Sequence, residues 1–202
     1  MSARAARVPL GLLLAPGAGA DRDTPALVAI DAAATGAGLT VGRMDFPYRK
    51  AGRKTPDRAP VLIAAVRDEA ARLAPKVSAL VLGGRSMGGR MCSMAVAEGL
   101  PAAGLILISY PLHPPGRPDR ARIEHFPLLE VPCFFVSGTR DAFATPHQLE
   151  TATRAIPGPV VHRWLDGKDH ALRGTEAAVA ALVVEWLREF PRLPSATGRP
   201  EV

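Results

Sequence analysis

Six short runs of hydrophobic residues recur along the chain, and each run has the length of one β-strand. The residues within a run are apolar at consecutive positions, which is typical of strands that are buried on both faces of a sheet. Segments of helical length separate the runs, so the pattern predicts a parallel sheet covered by helices on both faces, with right-handed crossovers. The predicted strands are Val8–Leu14, Leu39–Asp45, Ser78–Leu82, Gly104–Ser109, Val131–Ser137 and Val160–Leu165.

The helices are indicated by apolar residues spaced three and four positions apart and by threonine-proline pairs at two of the helix starts. Thr24 and Thr145 each precede a proline, which is the arrangement of an N-cap residue followed by the first helical residue. Three further helices are predicted. The first has an inner stripe of Leu62, Val66, Ala70 and Leu73 and ends at Pro75, and the second begins near Ser86 and ends near Glu98. The last helix has the apolar stripe Val179, Leu182, Val183, Trp186, Leu187 and Phe190.

The whole pattern predicts one three-layer α/β domain over residues 1–202, with a flexible tail at residues 191–202. Only seven residues precede the first run, so we expect six parallel strands without additional antiparallel strands ahead of them. The expected spatial order, in chain numbering, is 2-1-3-4-5-6, with the switch point beside strands 1 and 3. Residues 111–129 form the only long insertion, and this insertion is too short for a helical cap domain.

The net charge of +6 comes from 25 lysine and arginine residues against 19 aspartate and glutamate residues. The arginines are scattered along the chain, whereas a nucleic-acid-binding protein clusters its basic residues on one helix or stripe. We therefore expect no nucleic-acid partner. No run reaches the roughly 18 to 20 apolar residues of a membrane-spanning helix, so we expect no membrane partner either. The sequence does not indicate an oligomeric state.

The cysteines and the N-terminus bear on the cellular compartment. Cys92 and Cys133 lie in apolar segments without metal-ligand spacing, as expected for inert core cysteines in a reducing compartment.

Arg4 and Arg7, followed by an apolar stretch with an A-x-A site at Ala20, resemble a secretory signal peptide. Prolines and glycines interrupt that stretch, and cleavage there would remove a central strand. A cytoplasmic protein is the favoured interpretation, and a processed N-terminus is the alternative.

The third predicted strand leads into the sequence GGRSMGG, which contains G-x-S-x-G at Gly84, Ser86 and Gly88. In such a nucleophile elbow the serine occupies a strained turn between a strand and a helix, and a side chain at either flanking glycine would clash across the turn. A phosphate-binding loop would require lysine after Gly88 or Gly89, and a dinucleotide-binding turn would require glycine where Arg22 stands. Nucleotide binding is therefore disfavoured.

A serine nucleophile needs a base that is itself oriented by an acid, and after an elbow the acid and the histidine follow along the chain. Asp141 stands just after the fifth predicted strand, and His170 stands just after the sixth. Considered alone, Asp141 could be a turn or capping residue, and His170 could be a solvated loop residue. Because the carboxyl ends of parallel strands meet at one edge of a sheet, their order and placement together predict a triad of Ser86, Asp141 and His170.

The other acids and histidines near the strand ends have structural interpretations. Asp166 and Asp169 lie in a glycine-containing segment, which is typical of turn formation rather than of a triad acid. His162 within the sixth strand is expected to be structural, His147 solvent-facing, and His113 and His125 either substrate-lining or surface-exposed.

Acyl chemistry also requires two backbone N–H groups that stabilise a developing oxyanion. The residue after the nucleophile, Met87, supplies one of them. The segment Ala15–Ala20 follows the first strand, and its small residues let the backbone approach a substrate closely. Ala18 is the leading candidate for the second donor, and Gly17 is the alternative.

Six segments give the chain a resemblance to the α/β-hydrolase superfamily, and in detail to a small family without a cap domain that is related to dienelactone hydrolases. That family includes the hydrolase-like domain of a subunit of the eukaryotic non-specific-lethal chromatin complex. The combination of GGRSMGG with YPLHPPG is specific, whereas G-x-S-x-G alone would place only the superfamily. The segments are LAPGAGA at 14–20, DFPYR at 45–49, GGRSMGGR at 83–90, YPLHPPG at 110–116, SGTRD at 137–141 and DGKDH at 166–170.

The resemblance implies a hydrolase of ester-type substrates, thioesters and other acyl bonds included, that works on a small-molecule acyl substrate through an acyl-enzyme. Such a mechanism needs no metal or organic cofactor. Relatives often carry histidine where Pro16 stands, and dienelactone hydrolases use cysteine where this chain has Ser86, so their lactone substrate is not carried over. Because relatives occur in chromatin complexes, a non-catalytic scaffold or protein-binding module is the alternative.

Substrate-lining residues are expected in the segments that leave the carboxyl ends of strands 2 and 4, next to the nucleophile. They would border a shallow, open cleft, because no insertion is long enough for a cap. The alternative for Phe46 and Tyr110 is that they only pack the loops. The candidates are Phe46, Tyr48, Tyr110, Leu112 and His113.

Overall fold

Six strands form one sheet in the part of the chain that the computed structural model describes, residues 9–114 and 116–189. The strands are β1 (Gly11–Ala15), β2 (Thr40–Arg43), β3 (Leu80–Arg85), β4 (Gly104–Ile108), β5 (Cys133–Gly138) and β6 (Val160–Leu165). Their spatial order is β2-β1-β3-β4-β5-β6, which confirms the predicted order. Every neighbouring pair is parallel, so the six carboxyl ends lie at the same edge of the sheet.

Helices cover both faces of this sheet, and the sheet is the middle of three layers. The helices are α1 (Pro25–Gly36), α2 (Pro47–Lys50), α3 (Ala59–Leu73), α4 (Met87–Ala97), α5 (Pro146–Thr153) and α6 (Glu176–Glu189). Apolar residues of α1 and α6 pack on one face, and those of α3, α4 and α5 pack on the other. The described residues contain no separate cap domain, in agreement with the expected architecture.

The central strands are buried on both faces, which explains why their sequences are continuously apolar. On β3, Leu82 belongs to the core cluster that contains Met91 of α4. Its neighbour Val81 belongs to the opposite cluster, which contains Val183 of α6. The edge strands β2 and β6 are only partly buried. The hydrophobic core therefore holds the middle of the sheet, and β3 with it, from both sides.

The strand ends differ from the predicted ends most clearly at β3. This strand continues beyond Leu82 to Arg85, because Gly83 and Gly84 keep their backbone pairing with β4. Glycine is a poor strand former, so the sequence pattern ends the strand too early. At the other side, β1 begins at Gly11 rather than at the predicted position, whereas β6 has the predicted bounds. The single-turn helix α2 is not predicted by the hydrophobic pattern.

The two predicted threonine caps have different outcomes. At the start of α5, the Thr145 hydroxyl accepts a hydrogen bond from the Gln148 backbone N–H. The Gln148 side-chain oxygen accepts the Thr145 backbone N–H in turn, which confirms this cap. At the start of α1, Thr24 is the N-cap residue and Pro25 the first helical residue, as predicted, but the Thr24 side chain makes no cap hydrogen bond. The Thr24 hydroxyl instead donates to the carbonyl oxygen of Asp21 at 2.6 Å, since the turn before α1 places this acceptor within reach.

Two sequence predictions fall on residues outside the described part of the chain. These are the arginines of the signal-peptide alternative, at positions 4 and 7, and the flexible tail at 191–202. Val8, the first residue of the first predicted strand, and Phe190, the last residue of the final apolar stripe, lie outside it as well. Within the described residues, none of the helices has the length and apolar character needed to cross a membrane.

Candidate active site

Ser86 occupies the sharp turn between β3 and α4, with φ 52° and ψ −119°. Residues other than glycine adopt a positive φ only rarely, because their Cβ crowds the backbone. A Cβ atom at Gly84 or at Gly88 would overlap the carbonyl oxygen of Ala15 on β1. The two glycines therefore allow the turn to pass against the neighbouring strand, as the elbow motif predicts.

The three predicted triad side chains form one hydrogen-bonded chain. His170 Nε2 lies 2.8 Å from Ser86 Oγ. His170 Nδ1 lies 2.8 Å from Asp141 Oδ2 and 3.0 Å from Asp141 Oδ1. The residues follow β3, β6 and β5, and they meet because all three strands end at the same edge of the sheet. The imidazole is thus placed to take a proton from the hydroxyl while the carboxylate accepts its other N–H.

The acid and the histidine are fixed by a residue that the sequence pattern does not single out. The Asp141 side chain is 1% exposed, and its Oδ1 accepts the Phe143 N–H at 2.8 Å. The Phe143 ring packs on the His170 ring, with 4.1 Å between the centroids. One residue therefore supports both members of the pair. A phenylalanine two positions after an aspartate has many structural roles, so the sequence carries no signal for this one.

The predicted oxyanion donors lie on the two backbone segments beside Ser86. Met87 is the first residue of α4, so its N–H has no acceptor within the helix. Gly17, in the loop after β1, is close to the elbow: a Cβ atom there would lie 3.7 Å from the Ser86 Cβ. Gly17 is buried and Ala18 is exposed. The choice between Ala18 and Gly17 as the second donor stays a prediction.

The loop after β1 is braced by α2. The Tyr48 hydroxyl accepts the Gly19 N–H at 3.0 Å, and Arg49 pairs with Asp21 at 3.2 Å. Burial raises the pKa of Tyr48, so the phenol keeps its proton at neutral pH. These contacts directly follow the candidate donors along the chain, and they hold the loop against the segment that follows β2.

Three of the predicted substrate-lining residues are completely buried, which corrects that prediction. Phe46 and Tyr48 are 0% exposed, and Tyr110 is 1% exposed. The rings of Phe46 and Tyr48 are stacked with their centroids 6.3 Å apart, and Tyr110 packs against Phe126 at 5.4 Å. These aromatic side chains pack the loops at the strand ends, which agrees with the alternative interpretation of Phe46 and Tyr110 and was not foreseen for Tyr48. Sequence position places a side chain near the cleft but does not decide whether it points into the core.

The other two candidates, Leu112 and His113, border a surface groove of about 350 Å³ between the 111–129 insertion and α5. Both side chains are themselves largely buried. The His113 N–H donates to the Phe143 carbonyl oxygen at 3.2 Å. Since Phe143 packs on His170, this bond ties the wall of the groove to the triad. A substrate-lining role for Leu112 and His113 stays a prediction.

The family model described as an alpha/beta hydrolase domain matches residues 9–183. The chain belongs to the alpha/beta hydrolase family. This membership confirms the resemblance to the α/β-hydrolase superfamily and establishes a hydrolase at the level of the family.

Solved structures share the fold of this alpha/beta hydrolase over most of their length. An alpha-beta serine hydrolase homologue from Coxiella burnetii is 19% identical, with a TM-score of 0.73 over 90% of this chain and 86% of that chain. A dienelactone hydrolase from Anabaena variabilis is 18% identical, with a TM-score of 0.72 over 92% and 88%. Est1E from Butyrivibrio proteoclasticus is 17% identical, with a TM-score of 0.72 over 92% and 89%. At these identities the likeness shows a shared fold.

The remaining histidines of this alpha/beta hydrolase lie away from the triad contacts. His125 Nε2 is 2.8 Å from the buried Ser93 hydroxyl, and burial lowers the pKa of His125 to about 4. His162 Nε2 is 3.0 Å from the Thr153 hydroxyl. His147 is exposed. His125 is therefore a neutral, structural residue that holds the insertion to α4, rather than a surface residue.

Other chemistry-bearing residues of the alpha/beta hydrolase have local roles. Asp169 accepts the N–H of Ala171 in its own turn at 2.9 Å, and Asp166 accepts a threonine hydroxyl at 3.2 Å. Cys92 and Cys133 are buried free thiols, and burial raises the pKa of each to about 12. Across residues 9–114 and 116–189, no group of three or more histidine, cysteine or acidic side chains is placed to hold a metal ion.

Proposed function

We propose that the protein is a serine hydrolase that cleaves an ester-type substrate through the Ser86, His170 and Asp141 triad. The observation that carries this proposal is the continuous hydrogen-bonded chain, with 2.8 Å from Ser86 Oγ to His170 Nε2 and 2.8 Å from Nδ1 to Asp141. The positive φ of Ser86 supports it, because the elbow exposes the hydroxyl at the edge of the sheet where ligands bind. Membership of the alpha/beta hydrolase family supports hydrolytic chemistry and leaves the substrate open.

Acylation follows from the positions of these groups. Ser86 Oγ attacks the carbonyl carbon of the ester, and its proton passes to His170 Nε2. The negative charge that develops on the carbonyl oxygen is stabilised by the N–H groups of Met87 and Ala18. When the tetrahedral intermediate collapses, the bond to the alcohol breaks and His170 returns the proton to the leaving alcohol. The acyl group is then bound to Ser86 as an ester.

Deacylation repeats these steps with water. His170 takes a proton from the water as the water oxygen attacks the acyl-enzyme, and the proton returns to Ser86 Oγ when the acid leaves. Asp141 accepts the Nδ1–H throughout and stabilises the imidazolium that forms twice in the cycle. Its side chain is 1% exposed, so little water competes for the carboxylate. All proton transfers use side chains of this chain, and the mechanism needs no metal or organic cofactor.

A surface groove that is linked to His170 through His113 and Phe143 supports a small-molecule acyl substrate. Leu112, Ile123 and Ala152 give it an apolar wall, and its volume of about 350 Å³ suits a short or extended group rather than an enclosed long chain. The bond between His113 and Phe143 connects this wall to His170. We propose that one side of the ester lies along this groove, with the carbonyl carbon at Ser86.

A fluorophosphonate probe, which labels activated serine hydroxyls, tests the proposal. The wild-type protein is expected to be labelled and to hydrolyse short p-nitrophenyl esters, and Ser86→Ala is expected to lose both properties. Ser78→Ala is the matched control, because Ser78 is exposed just before β3, at the opposite edge of the sheet. If the folded wild-type protein is neither labelled nor active, the proposal is wrong, and the non-catalytic scaffold or protein-binding alternative replaces it.

A further inference from the structure

Arg85 is the variable residue before the serine of the G-x-S-x-G motif, and the motif itself does not require arginine there. Arg85 is the last residue of β3, where side chains alternate between the two faces of the sheet. Alternation places Arg85 on the same face as Val81, which packs with α1 and α6. The side chain therefore leaves the elbow on the face opposite to α4.

The guanidinium group of Arg85 lies between the two loops that complete the site. Its Nη2 donates to the carbonyl oxygen of His170 at 2.9 Å. Its Nη1 lies at the oxyanion loop, 3.5 Å from the position that a Cβ atom would take at Gly17. Because the Arg85 backbone is bonded directly to Ser86, one residue connects the nucleophile, the histidine loop and the oxyanion loop.

Stability does not explain an arginine at this position. Among the described residues, no carboxylate forms an ion pair with the Arg85 side chain. Burial lowers the pKa of Arg85, and the more distant negative charges of Asp141 and Asp169 only partly offset this effect. A partly buried cation with one neutral acceptor recovers little of its lost hydration, so it contributes little to the free energy of folding.

We propose that Arg85 is a positioning residue that sets the placement of the His170 ring relative to Ser86 Oγ. The Arg85 guanidinium group holds the main chain of His170 through the bond to its carbonyl oxygen, and it lies against the loop that contains Gly17. This inference rests on the proposed function. A displacement of about 1 Å in a reacting group can reduce the rate by about 100-fold, so a single bond to the histidine main chain is enough to matter.

Three substitutions separate the properties of the arginine. Arg85→Met keeps the length of the side chain but removes its charge and its donors, and we expect kcat to fall by about 10- to 100-fold with little change in KM. Arg85→Lys keeps the charge and one donor, and we expect an intermediate kcat. Arg85→Ala leaves space beside His170, and low concentrations of guanidinium chloride are expected to restore part of kcat, whereas sodium chloride at the same ionic strength is not.

A matched control removes a similar hydrogen bond elsewhere. Arg163 on β6 is exposed and donates to the carbonyl oxygen of His162 at 3.1 Å, so Arg163→Met is expected to keep the wild-type kcat. Thermal unfolding of all variants is measured in parallel, and Arg85→Met is expected to unfold close to the wild-type temperature. A fall in stability that accounts for the loss of kcat would overturn the positioning role.

A readout that does not need turnover distinguishes this inference from the proposed function. The His170 Nδ1 proton, which is hydrogen-bonded to Asp141, gives a far-downfield proton NMR resonance. We expect Arg85→Met, but not Arg163→Met, to shift or broaden this resonance. An inactive wild-type protein with that response would refute the hydrolase and leave the positioning role supported. An unchanged resonance, or a kcat for Arg85→Met within about twofold of wild type, would overturn the role of Arg85.

Discussion

At the scale of single residues, the placement of the candidate nucleophile depends on a strained backbone conformation. Ser86 has φ 52°, and such conformations cost on the order of 1–3 kcal/mol for residues other than glycine. The strain is maintained because β3 and α4 are both anchored in the core, so the turn between them cannot relax. The elbow thus lowers the free energy of unfolding somewhat, and it presents the Ser86 hydroxyl at the edge of the sheet.

The strain predicts an unusual order of stability at position 86. Ser86→Gly and Ser86→Ala both remove the hydroxyl and its bond to His170, but only glycine relieves the positive φ. We expect Ser86→Gly to have a free energy of unfolding about 1 kcal/mol above that of Ser86→Ala, measured by urea denaturation. Ser93, inside α4, is the control: there the glycine variant is expected to be about 1 kcal/mol less stable than the alanine variant. Equal stability of the two position-86 variants would show that the turn is unstrained.

At the scale of elements, the sequence predicts the strands and helices that have a hydrophobic period, and it does not predict elements too short to show one. The six strands and five longer helices follow from hydrophobic runs and stripes, because burial of a whole face requires them. The helix α2 is a single turn, too short to show a period, yet it carries the hydroxyl that holds the loop after β1. Likewise, β3 extends through two glycines because it pairs there with β1 and β4. The strand propensity of the glycines themselves does not indicate this extension.

The role of α2 predicts the effect of removing one hydroxyl. Tyr48→Phe removes the acceptor of the Gly19 N–H, and the loss of such a partly buried hydrogen bond costs about 0.5–1.5 kcal/mol of stability. Because Gly19 follows Ala18, the loop can shift, and we expect kcat for p-nitrophenyl esters to fall more than KM rises.

Tyr110→Phe is the comparison for this variant. Tyr110 is also a buried phenol, but its hydroxyl contacts lie at 3.3 Å, to Arg122 and His125 in the insertion. We expect this variant to keep kcat within about twofold of the wild-type value. Equal losses of kcat in both variants would mean that Tyr48 acts through general packing and not through the loop.

At the scale of the whole molecule, the triad could be predicted from the sequence because three residues stand at the ends of three strands. Their chemistry is specific and their order along the chain is fixed by the fold. The supporting contacts could not be predicted, since Phe143 and Arg85 act through geometry that only the assembled sheet creates. The same reason explains why the prediction of substrate-lining residues was wrong for the aromatic candidates. Whether Tyr110 faces the cleft or the core depends on how the insertion folds over it.

The lack of a cap in the described residues predicts a preference among acyl groups. An open groove encloses few methylene groups, so lengthening the acyl chain adds little of the roughly 0.8 kcal/mol that each buried methylene contributes. We expect kcat/KM across a series of p-nitrophenyl esters to be highest for short chains and to show no gain at long ones. A strong preference for chains of roughly twelve carbons would reveal a deep pocket and contradict the open site.

The strand order also governs when the site comes into existence. The candidate groups come from the ends of β1, β3, β5 and β6, and β1 pairs with β2 and β3, which lie far apart along the chain. Parallel pairings between distant segments form slowly, because the entropy of closing long loops is lost before the contacts form. A chain emerging from the ribosome presents the elbow long before it presents His170. On the proposed mechanism, Ser86 therefore has no base until β6 has paired with β5 and brought His170 to the elbow.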